Sequence, residues 1–231
     1  MNFTLTPAET EALLLSLKVS TVAVFCALPF ALAAALLLAR GRFFGRNLLN
    51  GLLHLPLVLP PVVIGYLLLV VLGTRAPLGA WLLDNLGIRF AFSWIGAALA
   101  SAIITFPFQL RAIRLSLEAA DPGLSAAAAT LGASRLDRLA TITLPLAIPG
   151  IISGLITAFA ASLGEFGAII TFVSNIPGVT RTLPLAIFTA IQSPGGEWEA
   201  ARLCAISVAI AIVAVLAAEL LTARARTAIA R

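Results

Sequence analysis

The stretch RAIRLSLEAADPGLSAAAATLGASRLDRLATITLPL, residues 111–146, holds seven of the chain's 25 charged residues and joins two long runs that have none. Between Arg89 and Arg111 lie 21 uncharged positions, and between Arg138 and Glu165 lie 26. A helix crosses a bilayer with about 20 apolar residues, so the stretch reads as a polar loop slung between two membrane spans. Two more charge-free runs nearer the N-terminus obey the same rule: 21 residues between Lys18 and Arg40, and 28 between Arg46 and Arg75. A fifth candidate runs from Leu203 to Ala223, interrupted only by Glu219. Composition agrees, because 61% of the 231 residues are hydrophobic and 11% charged, where a soluble domain carries roughly 25% charged residues. Such a chain could not cover its surface with polar groups in water. A cytosolic enzyme, a nucleic-acid binder and a disordered regulator are excluded, and the lipid bilayer is the expected surrounding. The net charge of +5 is spread between apolar runs and forms no basic patch for nucleic acid.

The N-terminus, MNFTLTPAETEA, carries two acids and no basic n-region, so the first apolar run is expected to stay as a span. Arginines then set the orientation, since cytoplasmic loops near span ends carry an excess of Lys and Arg. With five spans and the N-terminus outside, the inner segments hold Arg40, Arg42, Arg46, Arg111, Arg114, Arg135, Arg138, Arg224, Arg226 and Arg231, ten in all. The outer segments hold Arg75, Arg89, Arg181 and Arg202, with Lys18 at the outer rim, where it can snorkel. The C-terminus is then cytoplasmic. Two runs of 15 residues, Phe166 to Thr180 and Thr182 to Gly196, contain Pro177-Gly178, Pro184 and Pro194-Gly195-Gly196. They are too short and broken to span. Residues 166–196 therefore read as an outward-facing, partly embedded hairpin with a short helix near Leu183–Ile191.

Several residues inside the apolar runs carry two readings each. Pro56, Pro60 and Pro61 in HLPLVLPPVVIGY free backbone groups that hydrocarbon cannot satisfy. The break is either a kink accommodated by packing or a broken helix lining a gated pathway. Gly150, Ser153, Gly154 and Thr157 fall at helical spacing as a small-residue face for close helix contact. Cys26 and Cys204 read as small buried hydrophobes. His54 has no second ligand near it and reads as structural, so no metal and no cofactor are expected. Glu165 is an acid near the end of a span, where charge is costly. It reads as a helix-end or gate-packing residue. Ser162, Thr171, Ser174 and Asn175 either donate hydroxyl and amide hydrogen bonds to a passing solute or satisfy a reentrant backbone. Trp198, between Glu197 and Glu199, reads as an interfacial anchor.

The quoted loop is the one internal segment large enough to receive a partner. Asp121-Pro122-Gly123 breaks the preceding helix, Ser125 to Leu131 is a short Ala-rich helix, Gly132 is its C-cap, and Ser134 can N-cap the next helix. A phosphate-cradling loop needs a Gly-Lys pair, and the chain's only lysine is Lys18. If the chain moves a solute uphill, a partner supplies the energy. The competing reading is a stand-alone secondary transporter or channel, which would need internal symmetry or buried ionisable pairs.

Gly132, nine intervening residues, then Ile142-Thr143-Leu144-Pro145 resembles half of the signature loop of binding-protein-dependent ABC importer permeases. The start departs from that pattern: the family's acidic residue is replaced by Ser125 or Ala126, and Glu118-Ala119-Ala120 imitates the letters too far upstream. A polar anchor is thus missing or supplied by Arg135, Asp137 or Arg138. The blocks SLKVS (16–20), HLPLVLPPVVIGYLLLV (54–70), FSWIGA (92–97), TLGAS (130–134), ITLPLAIPGI (142–151), SLGEFGAIITFVSNIPG (162–178) and PGGEWEAARLC (194–204) are similar to the molybdate permease subunits of that family. Sulfate permeases are the nearest relatives. The resemblance implies an all-α integral membrane protein of the type I ABC importer permease kind, with about five spans. Its permease domain would cover residues 11–223, with the coupling loop at 118–141. The resemblance implies that Leu124, Ser125, Ala128, Thr130, Leu131, Gly132, Ser134 and Arg135 couple to an ATPase, and that Pro60, Pro61, Ser162, Gly164, Glu165, Thr171, Ser174 and Asn175 form a pathway or gate. It implies a bacterial cytoplasmic (inner) membrane location and no catalytic residue. It also implies a second copy of the chain, two ATPase subunits and an external oxyanion-binding protein, the cargo being molybdate or tungstate, with sulfate or thiosulfate as the alternative.

Overall fold

A computed structural model of the chain describes residues 5–41 and 43–229. Two arginines counted on the inner side, Arg42 and Arg231, lie outside the described residues, as do the side chains of Arg224 and Arg226. The first helix, α1 (Pro7–Arg40), starts where Thr6 and Glu9 cap each other: the Glu9 amide donates to the Thr6 hydroxyl at 3.3 Å and the Thr6 amide to the Glu9 carboxylate at 2.6 Å. Its buried stripe, Ala23, Ala27, Ala31, Ala35 and Leu38, is mostly alanine, which lets a neighbour approach closely. That neighbour is α5 (Trp94–Glu118), the central helix, which packs on α1 and on α8 (Leu144–Leu163). A buried amide fixes the α1–α5 register, with Gln109 Nε2 donating to the Val24 carbonyl at 3.0 Å. The long last helix, α11 (Glu197–Ile229), closes the bundle against α8.

Gly150 and Gly154 allow α5 and α8 to touch at their backbones. A Cβ on Gly150 would lie 2.5 Å from the Ala112 carbonyl oxygen, and one on Gly154 3.1 Å from the Gln109 Cα. The small-residue face differs in detail from the one expected. It runs Ala147, Gly150, Gly154, Ala158 and Ser162, whereas Thr157 is exposed, because successive contacts follow the four-residue ridge rather than alternating threes and fours. The two cysteines also depart from expectation. Cys26 and Cys204 are exposed, because α1 and α11 bury only part of their circumference and present apolar side chains such as Phe25, Phe30, Val213 and Leu216 outward. Lys18 sits with its ammonium 3.6 Å from the Trp94 ring centroid, held by a cation–π contact.

The proline cluster bends the second span. Helices α2 (Arg46–Val58) and α3 (Pro61–Leu72) meet at 107°, with Leu59 and Pro60 extended between them, as residues before proline must be. Leu49 and Leu53 of α2 join the core around Leu38, Leu110, Ile113 and Leu117. Ile64 of α3 joins the core around Val19, Ala97, Ile104 and Phe172, at the other end of the bundle. The pair thus passes from one end to the other and is one bent span. With α1, α5, α8 and α11 it makes five candidate spans among the described residues.

Shorter elements decorate the ends. Helix α4 (Pro77–Leu86) follows α3. Helices α6 (Pro122–Thr130) and α7 (Arg135–Arg138) with a π turn at Leu139–Thr143 lead into α8, and α9 (Gly167–Val173) and α10 (Leu183–Gln192) form the hairpin between α8 and α11. The hairpin holds two short helices where one was expected.

Candidate functional site

The first half of the site is the loop between α5 and α8. The Asp121 carboxylate accepts the Gly123 amide at 2.8 Å, so α6 begins at Pro122, three residues earlier than expected. Asp-Pro both stops the preceding helix and opens the next. Gly132, at φ +88, ends α6 in the left-handed region, and the Ala133 amide reaches back to the Ala128 carbonyl at 3.0 Å. Ser134 and Asp137 then cap α7 reciprocally, the Asp137 amide donating to the Ser134 hydroxyl at 3.2 Å and the Ser134 amide to the Asp137 carboxylate at 3.0 Å. A nine-residue helix is marginal alone. Arg138 ties it down by donating to the Ser125 carbonyl at 3.4 Å. Ser125 and Ala128 form the inner face of α6, while Leu124, Thr130, Leu131 and Arg135 are exposed, Leu131 to 88%. The I-x-L-P element straddles the π turn and the start of α8, and in it Thr143 is buried and donates to the Arg138 carbonyl at 3.2 Å.

Directly before α6, a polar network joins three helices. Glu118 accepts from Arg114 at 2.7 Å and lies 3.7 Å from Arg46. Arg114 also donates to Asn50 Oδ1 at 2.7 Å, and Arg46 Nε to the Leu38 carbonyl at 2.8 Å. His54 closes the set against the Asn50 carbonyl at 2.8 Å, a structural contact. Any shift of α6 that moves the end of α5 is therefore felt by α1 and α2.

The second half lies at the other end of α8. Gly164 stops α8 and Glu165, 7% exposed, accepts the Ala168 amide at 2.8 Å, capping α9. Helix α9 packs on the start of α3 at backbone distance. A Cβ on Gly167 would meet Pro61 Cβ at 2.9 Å, and one on Gly65 would meet the Ala168 carbonyl oxygen at 2.6 Å and Thr171 Cβ at 2.8 Å. The broken span and the Gly-Glu-Phe-Gly element thus come together as one unit. Phe166 and Phe188 stack with centroids 5.0 Å apart beside a cleft of about 510 Å³ that Gly164 also lines. Ser162 is 3% exposed and its hydroxyl has no hydrogen-bond partner among the described residues. Thr171 spends its proton on the Gly167 carbonyl at 2.7 Å. Ser174 sits at φ +65 as the C-cap of α9, a backbone region that non-glycine residues seldom adopt. Asn175 donates to the Thr189 hydroxyl at 2.8 Å and accepts from Arg181 at 2.9 Å.

The expected coupling residues therefore share one exposed loop, and the expected pathway residues share the α8–α9–α3 junction, about one span away. Two long-range elements escaped the sequence reading. One is the Arg46–Asn50–Arg114–Glu118 network. The other is the Glu9–Arg202 pair, in which Arg202 Nε donates to Glu9 Oε1 at 3.0 Å and joins the starts of α1 and α11. Thr6-x-x-Glu9 is a legible capping box, but its second use by Arg202 leaves no local trace.

The profile of the family described as "binding-protein-dependent transport system inner membrane component" matches residues 27–231. The molybdenum transport system permease protein ModB of Escherichia coli K12 is 60% identical over 215 residues, covering 93% of this chain and 94% of the relative. The protein of the same name from Haemophilus influenzae is 52% identical, covering 94% of each. The sulfate transport system permease protein CysT of Escherichia coli K12 is 37% identical over 71% of this chain and 58% of its own length. Among solved structures, a bacterial ABC transporter importing alginate superposes with a TM-score of 0.74 at 19% identity, over 95% of this chain and 80% of that one. An amino acid ABC transporter superposes at 0.66 and 22%, over 94% of each. The fold is thus that of ABC transporter membrane subunits, and the chain belongs to the family of inner membrane components of binding-protein-dependent transport systems.

Proposed function

We propose that this chain is the membrane-spanning permease subunit of an ATP-driven importer that moves molybdate across the bacterial cytoplasmic membrane, tungstate being the close chemical analogue. The observation that carries the cargo is the 60% identity to a molybdenum transport permease over 93% of the chain. The reading of the machine rests on the exposed, twice-capped α6, which offers Leu124 and Leu131 to a partner. The N-terminus is outside and the C-terminus cytoplasmic, which puts the α6–α7 loop inside and the α9–α10 hairpin outside.

Two copies around a twofold axis enclose a path that five spans alone cannot. Each copy binds a separate ATPase subunit through α6, and an external binding protein delivers the anion at the hairpin end. When the ATPases close, the two α6 helices approach each other. The displacement passes into α5 and, through Glu118, Arg114 and Asn50, into α2. The bend at Leu59–Pro60 lets α2 tilt while α3 stays packed on α9. This is rigid-body switching between two states, with packed junctions as the moving parts. Glu165 is spent on the α9 amide, so it holds the junction together without presenting charge to the anion.

Sulfate is the second reading, favoured by the 37% identity to a sulfate permease. Vesicles holding permease, ATPase and binding protein, loaded with ATP and given labelled molybdate, decide between them. Uptake should be competed by unlabelled tungstate at equal concentration and by sulfate only at large excess. Competition by equimolar sulfate would move the assignment to the sulfate class.

A further inference from the structure

The turn joining α9 to α10 holds an arginine whose orientation is fixed and whose charge is not paired. Arg181 is partly buried, and its Nε donates to Asn175 Oδ1 at 2.9 Å. Asn175 is itself held, since its Nδ2 donates to the Thr189 hydroxyl at 2.8 Å and Thr189 donates to the Leu185 carbonyl within α10 at 2.9 Å. Thr180, fully buried, staples the turn by accepting the Ile176 amide at 2.9 Å and donating to the Ser174 carbonyl at 3.0 Å. The plane of the guanidinium is thus set by a chain of hydrogen bonds that ends on a helix backbone.

A guanidinium carries five N–H donors, and this chain of contacts engages one of them. Among the described residues the ion pairs within 4.0 Å are Arg46–Glu118, Arg114–Glu118 and Arg202–Glu9, and none includes Arg181. Of the acids toward this end of the bundle, Glu9 takes Arg202, Glu165 caps α9, the Glu11 carboxylate lies against the Gly178 turn, and Asp84, Glu197 and Glu199 are exposed, none of them within ion-pair distance of Arg181. Partial burial of an arginine with no carboxylate is unfavourable unless another anion meets it. The free edge of the fork matches two oxygens of a tetrahedral oxyanion.

We propose that Arg181, oriented by Asn175, is the permease's first contact for a tetrahedral oxyanion dianion at the outer mouth of the pathway. This rests on the reading of the protein as an oxyanion permease. Asn175 is then a positioning residue, because both ends of its amide are already in use. One charged fork per copy attracts the dianion, and a single arginine is a contact weak enough for onward release. A lipid phosphate offers the same chemistry, and the test separates the two.

Complete transporter in vesicles, with permease, ATPase and molybdate-loaded binding protein, is compared for wild type, Arg181→Gln, Arg181→Lys and Asn175→Ala. Rates are expressed per assembled complex. Charge-assisted contacts of this kind set the scale: Arg181→Gln should cut molybdate uptake about tenfold and raise the ATP hydrolysed per oxyanion moved by a similar factor. Arg181→Lys should lose less, since it keeps the charge without the fork. Asn175→Ala should fall between wild type and Arg181→Gln. Uptake and ATP per oxyanion within twofold of wild type in Arg181→Gln would overturn the assignment. Equal falls in uptake, hydrolysis and thermal stability at an unchanged ATP ratio would also overturn it, by showing a structural or lipid-phosphate role. No molybdate uptake by the wild type would instead overturn the transport reading, and this assignment with it.

Discussion

At the α6–α7 loop, the organising polar contacts are short in sequence and lie at the surface. Asp121 reaches two residues, Ser134 and Asp137 cap each other across three, and Leu131 is 88% exposed. At the opposite end of the bundle, where the α9–α10 hairpin sits, buried groups also reach distant partners. Ser16 Oγ accepts the Leu183 amide at 2.6 Å across 167 residues, Glu9 holds Arg202 across 193, and Gly65 meets Ala168 at backbone distance. A surface kept free for another protein cannot lean on burial, so caps must hold its shape. A segment folded back toward hydrocarbon must satisfy its own backbone and borrows partners from wherever the fold supplies them. Substitutions at the two ends should accordingly fail in different ways, folding at the hairpin end and transport at the loop end.

The largest expected effect is at the hairpin end. Glu9→Ala leaves Arg202 without the carboxylate it donates to, and breaking such a buried pair costs about 3 kcal/mol. Thermal unfolding in detergent should show a clear drop, and an unchanged midpoint would remove the clamp from the comparison. Next comes Gly65→Val, which forces side-chain atoms against the Ala168 carbonyl and should cost about 2 kcal/mol by overpacking, measured the same way. At the loop end, Gly132→Ala meets open space but must hold φ +88, a strain of about 1 kcal/mol. Its uptake should fall more than its stability, read as ATP hydrolysed per molybdate moved. Smallest in stability is Leu131→Asp, below about 0.5 kcal/mol because the side chain touches little, while binding of the ATPase should be lost. A large unfolding shift in Leu131→Asp, or normal ATPase binding, would erase the contrast between the ends.

The same contrast explains what the amino-acid sequence discloses. The five spans follow from charge-free runs, and the caps at Asp121, Gly132 and Ser134 follow from short-range chemistry, so the loop is legible almost residue by residue. The start of α6 is misplaced only because Asp-Pro can end one helix or begin another. The bend at Leu59–Pro60 is legible as a break, but its 107° angle depends on α3 packing against Gly167, which no local pattern records. The network from Arg46 through Glu118 and Arg114 to Asn50 joins positions up to 72 residues apart, and Arg181 looks like any loop arginine until Asn175 is placed beside it. Cysteine exposure is misread for a related reason. An apolar run does not say which of its faces meets lipid.

The central claim is that this chain is a passive path moved through α6 by an ATPase on another chain. ATP-dependent molybdate uptake, measured in vesicles that hold permease and binding protein with and without the ATPase, tests it most directly. Uptake should appear only with the ATPase and ATP and vanish in Leu131→Asp. Molybdate accumulation by the permease without the ATPase would contradict it and point to a stand-alone carrier.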